Sequence, residues 1–216
     1  VNFTITEVDN ALNCVTSMAK VSGSTGLMPA ANIVFSGTAP NCTATITPVA
    51  DGSGTSNITL TVSDGTLSNL QIFTLTVNPV NDAPVILPIA AQSTSEDVSK
   101  AVNFTITDVD NVLNCSTSMT AASTNTALIP VANIVFSGTA PNCTATITPV
   151  ADAFGASNIT LTVSDGTLSN AQTFTLTVNA VNDAPVILPI GAQAISEDSS
   201  AAVSFNITDV DNTLNC

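Results

Sequence analysis

The 216-residue chain contains no histidine, tryptophan, tyrosine or arginine, and its only cationic side chains are Lys20 and Lys100. Each absence excludes something. Without His there is no Cys/His zinc pattern and no Ser–His–Asp relay. Two Lys against 16 acidic residues leave a net charge of −14, so no basic surface meets phosphate, and nucleic acid and anionic membranes are excluded as partners. Cationic partners are favoured instead. No apolar run approaches the roughly 20 residues of a spanning helix, so this segment is not expected to insert in a membrane. No Gly-x-Ser-x-Gly elbow is present. The eight Phe read as core and leave no aromatic platform for a sugar. On these grounds the residues argue against an enzyme. No charged n-region followed by an apolar h-region opens the chain, so no signal peptide is visible.

What is present is a repeat. Cys14, Cys115 and Cys216 are spaced by 101 residues, as are Cys42 and Cys143, and so are Val80-Asn81-Asp82-Ala83-Pro84 and Val181-Asn182-Asp183-Ala184-Pro185. A strict period of this length means a tandem array of small domains. Residues 1–82 form a module without its first strand, 83–183 a complete module, and 184–216 the first two strands of a further one. Because residues 203–216 repeat 1–14, the chain reads as a window in a longer array. The ungapped copies 1–82 and 102–183 differ at 17 positions, nine of them within 15–30. That stretch is expected to be an exposed connection, unconstrained by the core.

A hydrophobic content of 44%, rich in β-branched residues, argues for a folded β protein. Apolar and polar residues alternate over short runs separated by turn residues. In the complete copy the expected strands are 85–89, 102–107, 113–119, 132–137, 144–149, 158–163 and 173–179, with a hairpin turn at Asp165-Gly166. Seven short strands in about 100 residues predict an all-β fold of Ig-like antiparallel sandwiches in a linear array.

Cys14–Cys42 and Cys115–Cys143 are the natural pairs. Each bridge would close a loop worth about 3 kcal/mol and point to an extracellular setting, with reduced core thiols as the alternative. Eight Asn-x-Ser/Thr sequons, at Asn2, Asn41, Asn57, Asn103, Asn114, Asn142, Asn158 and Asn206, read mainly as β-sheet composition, with glycosylation as the alternative.

Every acidic residue falls at a repeated position near a strand end. Strand parity places Glu96, Asp97 and Asp152 at one end of the complete module, beside the linker residues Asn182 and Asp183 and the Asp209 and Asp211 of the next repeat. The preceding junction gathers Asp51, Asn81, Asp82, Asp108, Asp110 and Asp165. So many carboxylates repel one another, by roughly 1 kcal/mol per pair at 4 Å in water, and two Lys cannot neutralise them. A hard divalent cation can. Ca²⁺ takes six to eight oxygens of this kind, whereas Mg²⁺ holds its waters. The alternative is plain turn chemistry, since Asp-Gly and Asn-Asp both favour turns.

These residues carry a family resemblance. Val-Asn-Asp-Ala-Pro resembles the linker of cadherins. Ser95-Glu96-Asp97, Thr107-Asp108-Val109-Asp110-Asn111 and Val163-Ser164-Asp165-Gly166 resemble cadherin acidic motifs. As a set they look like the cadherin-like tandem repeats of large bacterial surface adhesins. The middle motif is reduced to Asp51 or Asp152, Glu7 stands where the first Asp of the Asp-x-Asp pair is expected, and the repeated Cys pair is not a general family feature. The resemblance implies an extracellular, calcium-stiffened stalk whose partners are neighbouring modules. Three functions remain to be separated: a structural repeat of an adhesin stalk or cell-surface filament, an extracellular module binding a glycan or protein ligand, and a strand-donating subunit that assembles with its own copies.

Overall fold

The computed structural model describes residues 1–214. Asn215 and Cys216 lie outside the described residues, and with them the expected start of a third cysteine pair. The chain separates into two compact units, one of residues 1–81 and one from Asp82 onward.

The first unit has six strands: β1 (Asn2–Thr4), β2 (Met18–Ser22), β3 (Ile33–Thr38), β4 (Asn41–Ile46), β5 (Gly54–Ser63) and β6 (Ser68–Val77). They form two three-stranded antiparallel sheets, ordered β1-β4-β3 and β2-β5-β6.

The second unit continues with β7 (Val85–Ile86), β8 (Gln92–Ser95), β9 (Lys100–Thr107), β10 (Met119–Ser123), β11 (Ile134–Thr139), β12 (Asn142–Ile147), β13 (Gly155–Ser164) and β14 (Ser169–Asn179). One sheet runs β11-β12-β9-β7 and the other β10-β13-β14-β8. All pairings are antiparallel except β14 with β8. Short β15 (Val186–Ile187) and β16 (Ile207–Thr208) pair only with each other.

Side-chain alternation builds the sandwich. Cys143, Ala145 and Ile147 on β12 point inward, as do Ser157, Ile159, Leu161 and Val163 on β13. Residues of both sheets join one core, in which Ile86, Ile106, Ile159 and Leu176 are buried. The inward Ser157 is accommodated by hydrogen bonds of its hydroxyl with Ser123 Oγ at 2.9 Å and the Asn125 N–H at 3.1 Å, because a buried hydroxyl without a partner would be costly. Disulfides join Cys14 to Cys42 and Cys115 to Cys143, each with Cα atoms 5.4 Å apart.

Three local readings of the sequence change. The first strand of the complete copy is two strands, β7 on one sheet and β8 on the other, separated by a segment that carries Pro88. The third strand begins at Met119, not at 113. Asn114 Oδ1 accepts from the N–H groups of Ser116 and Thr117 and locks a turn there, a local competition that Asn wins readily. The connection within 15–30 is not free of the core either. Leu27 and Met28, and their counterparts Leu128 and Ile129, are buried, so its tolerance of change is confined to the residues around them.

The sequon Asn2, Asn57, Asn103 and Asn158 side chains each accept a hydroxyl from a Thr across the strand pair, at 2.9–3.0 Å.

Candidate metal centre

The densest group of carboxylates lies in the second unit, where four turns meet. Glu96 follows β8. Its N–H donates to the Asn179 carbonyl at the end of β14, and this tethers the residue under the linker. Its Oε1 accepts from the Val181 N–H. Glu96 is only 2% exposed, yet Oε2 has no hydrogen-bond partner. A buried, half-satisfied carboxylate is expensive unless something else meets it.

Asp97 and Asp152 stand beside it, and both adopt left-handed backbone, with φ of 61° and 55°. Non-glycine residues reach this region at a cost, Asp and Asn more easily than most. The Asp152 N–H donates to Asp97 Oδ1 at 3.2 Å. From the linker, Asp183 donates its N–H to Asp211 Oδ2 at 2.6 Å. Asp209 Oδ1 shapes the following turn by accepting from the N–H groups of Asp211 and Asn212, at 2.9 and 2.7 Å. Asn212 reaches back to Asn182 Oδ1 at 3.0 Å.

Two overlapping triads result. Glu96, Asp183 and Asp211 can each offer an oxygen within 4.8 Å of the other two, and so can Asp97, Asp152 and Asp183. Asp183 belongs to both. Desolvation raises its carboxyl above the ordinary 3.8, and the charges of Asp152, Asp211, Asp97 and Glu96 raise it further. Asp183 Oδ2, like Glu96 Oε2, is buried without a partner. The donor set is all oxygen, carboxylate with nearby amide, which suits a hard cation.

The other candidate residues are arranged differently. Asp51 and Asn81 belong to the first unit, and Asp51 is also left-handed at φ 58°. In the second unit the Asp82 N–H donates to Asp110 Oδ2 at 2.8 Å. Asp108 Oδ1 accepts from the N–H groups of Asp110 and Asn111, and its Oδ2 is buried without a partner. Asp165 closes the β13–β14 turn, where Oδ1 accepts from the Thr167 and Leu168 N–H groups at 2.6 and 2.7 Å. Its copy Asp64 does the same, and those backbone bonds hold its carboxyl below the ordinary range. Neither joins a triad among the described residues. Sequence reasoning missed Asn179, Val181 and Asn212, which position the carboxylates. The only signal for them was their place beside the acidic motifs.

No family model matches the chain. A stretch of 126 residues, 56% of the chain, is 35% identical to a chitinase A from Pseudoalteromonas piscicida and spans 14% of that protein. Among solved structures, an endo-fucoidan hydrolase of glycoside hydrolase family 107 matches over 76% of this chain and 24% of its own, at 20% identity and a TM-score of 0.33. Domains 4–9 of the surface layer protein SbsC match over 93% and 28%, at 17% identity and 0.35. Titin domains Z1Z2 match over 76% and 89%, at 10% identity and 0.40. The chitinase match corrects the expectation that the chain is not part of an enzyme. The lack of His and of aromatic platforms describes this stretch alone, and a similar stretch lies within a protein named as a chitinase. The two disulfides suit a secreted or extracellular β protein, and among the described residues no helix is long and apolar enough to cross a membrane.

Proposed function

We propose that the chain is a run of Ig-like, cadherin-like sandwich modules in an extracellular protein, with modules 1–82, 83–183 and the repeat from 184 stiffened at their junctions by Ca²⁺. The observation that carries this reading is the buried Glu96 with its unpartnered Oε2, within reach of Asp183 and Asp211. A divalent ion there would meet the orphaned oxygens and cancel the repulsion among five carboxylates. It would also tie the linker, the 96–97 turn, the 152 turn and the Asp209–Asp211 turn together. Loaded, the junction would resist bending; empty, it would be free to hinge. Such an array serves as a stalk or spacer.

Calorimetric titration of the 216-residue chain with Ca²⁺, paired with thermal unfolding, tests this. Saturable binding and a rise in Tm are expected, both weakened by Glu96→Gln. At 100 times Kd each site should add about 2.7 kcal/mol. No binding heat and no change in Tm would reduce the acids to turn formers.

The 35% match to a chitinase favours a second reading of the whole polypeptide, as a glycoside hydrolase in which these modules are one segment. Release of soluble oligosaccharides from chitin by the native full-length protein tests that. No release would favour a surface stalk instead.

A further inference from the structure

The two copies of the module differ at few aligned positions, and four of those differences fall on one face of one sheet. In the first unit Val21 lies beside Thr59, and Thr59 beside Ile72. One step along, Ala19 lies beside Thr61, and Thr61 beside Leu70. These side chains point away from the core, because Ser22, Ile58 and Leu60, which alternate with them, are buried in it. Val21, Leu70 and Ile72 are 61%, 56% and 53% exposed.

In the second unit the same rows are Ala122, Thr160, Thr173 and Thr120, Thr162, Ala171. Thr160 and Thr173 share a hydroxyl hydrogen bond at 2.8 Å. Ala122, Ala171 and Thr173 are exposed there too, with β7 and β8 both in place, so the openness of this face belongs to the sandwich itself. The first unit therefore carries an apolar patch where its near-copy carries a hydroxyl ladder, and contiguous exposed apolar side chains mark interaction surfaces.

Charge and shape say what covers it. The chain carries a net charge of −14, yet no outward residue of β2, β5 or β6 is charged. Two copies can meet on this face without bringing carboxylates together, whereas a cationic partner would be drawn to the acidic turns. The face is also self-complementary. Leu70 and Ile72 form a ridge on β6, and the shorter, partly buried Thr59 and Thr61 form a trough on β5 beside it. A twofold axis places the ridge of each copy in the trough of the other. Edge pairing is disfavoured, because the alternating residue Lys20 points inward from edge strand β2. Its Nζ donates to the Ile33 carbonyl and lies 5.6 Å from the centre of the Phe35 ring, and an inward charge on an edge strand blocks strand addition.

We propose that the first unit associates face to face with the first unit of a second copy through Val21, Leu70 and Ile72. Three strands about 4.8 Å apart, contacting over roughly seven residues each, offer on the order of 350 Å² per copy. That is below the roughly 800 Å² per partner of a stable complex, so the pairing is weak and reversible. It rests on apolar burial between two anionic chains, so salt screens their repulsion and sulfate strengthens the contact. It does not depend on calcium.

The test is sedimentation equilibrium of the 216-residue chain in chelator, from roughly 10 µM to 1 mM, the span in which contacts this small populate. A Cys216→Ser background excludes thiol dimers. The expected mass climbs from one chain toward two, and sodium sulfate moves the rise to lower concentration. The variant Val21→Ala, Leu70→Ala, Ile72→Thr carries the residues that the second unit holds at the same places, so the sandwich accepts them. It should keep the parent's unfolding transition and stay at the mass of one chain. A single-chain mass for the parent at every concentration would overturn the proposal and leave the patch to a different partner. Association that the three substitutions leave intact, or that sulfate weakens, would overturn it as well.

Discussion

The Asp183 N–H donates to the Asp211 carboxylate at 2.6 Å, and the Asp82 N–H makes the same bond to Asp110 at 2.8 Å. The linker Asp is thus fixed to the Asp-x-Asp turn of the repeat that follows it. Asp183 nonetheless lies within ligand distance of Glu96, Asp97 and Asp152, which precede it in the chain. One residue therefore lies within reach of acids on both sides of it in the chain, and its loss should not be equivalent to the loss of any other acid.

The shared position of Asp183 predicts an inequality in stoichiometry. Asp211→Ala removes a ligand of one triad and Asp152→Ala a ligand of the other, so each should cost one Ca²⁺ per chain by native mass spectrometry. Asp183→Ala should cost two. Equal losses for all three variants would mean the triads do not bind ions separately.

Backbone and ligand roles separate at Asp152. Its φ of 55° suits glycine. In chelator, Asp152→Gly should be nearly neutral, whereas Asp152→Ala should cost about 1–2 kcal/mol for the left-handed backbone. With Ca²⁺ both should lose the part of the ion-dependent gain that the Asp97–Asp152–Asp183 triad supplies and keep the rest. Urea denaturation with and without Ca²⁺ checks this, and the idea fails if Gly and Ala variants are equally unstable in chelator.

Much of this was legible in the sequence because the repeat prints each position twice. The period marked the repeated Val-Asn-Asp-Ala-Pro segments, the alternation at 144–149 and 158–163 overlaps β12 and β13, and strand parity grouped Glu96, Asp97 and Asp152. Local hydrogen bonding was not legible. Asn114 diverts the chain into a turn where alternation suggested a strand, and Pro88 lies where the chain leaves one sheet for the other. Turn chemistry and ligand chemistry look alike in a sequence too. Asp165 and Asp183 both sit in turn-forming contexts, but Asp165 spends its Oδ1 on backbone N–H groups while Asp183 keeps an oxygen buried and unpartnered. Only packing separates them.

The disulfides predict a stability loss independent of calcium. Cys115 and Cys143 are both buried and 28 residues apart. Replacing both with Ala releases a loop whose closure contributes about 3 kcal/mol. Denaturation in chelator should show that loss for the second unit, and Ca²⁺ should not restore it. Full recovery by Ca²⁺ would mean the bridge acts only through the metal centre.

The raised carboxyl of Asp183 sets a pH dependence whose sign reverses with calcium. Desolvation, then Asp152, Asp211, Asp97 and Glu96, disfavour its charged form. A carboxyl raised on folding binds its proton more tightly in the folded state. Its contribution is fully present below the unfolded value near 3.8 and is lost as pH rises through the folded value. In chelator, the parent should therefore gain stability relative to Asp183→Asn as pH falls from neutral through the raised value. With Ca²⁺ present the proposed ion would be held through ionised carboxylates, so protons should compete with it and the parent's advantage over Asp183→Asn should shrink over the same fall in pH. Urea midpoints for both proteins across pH, in chelator and in Ca²⁺, give the two trends directly. Parallel curves in chelator would show that Asp183 does not feel its neighbours, and the five carboxylates would then be too dispersed to hold an ion.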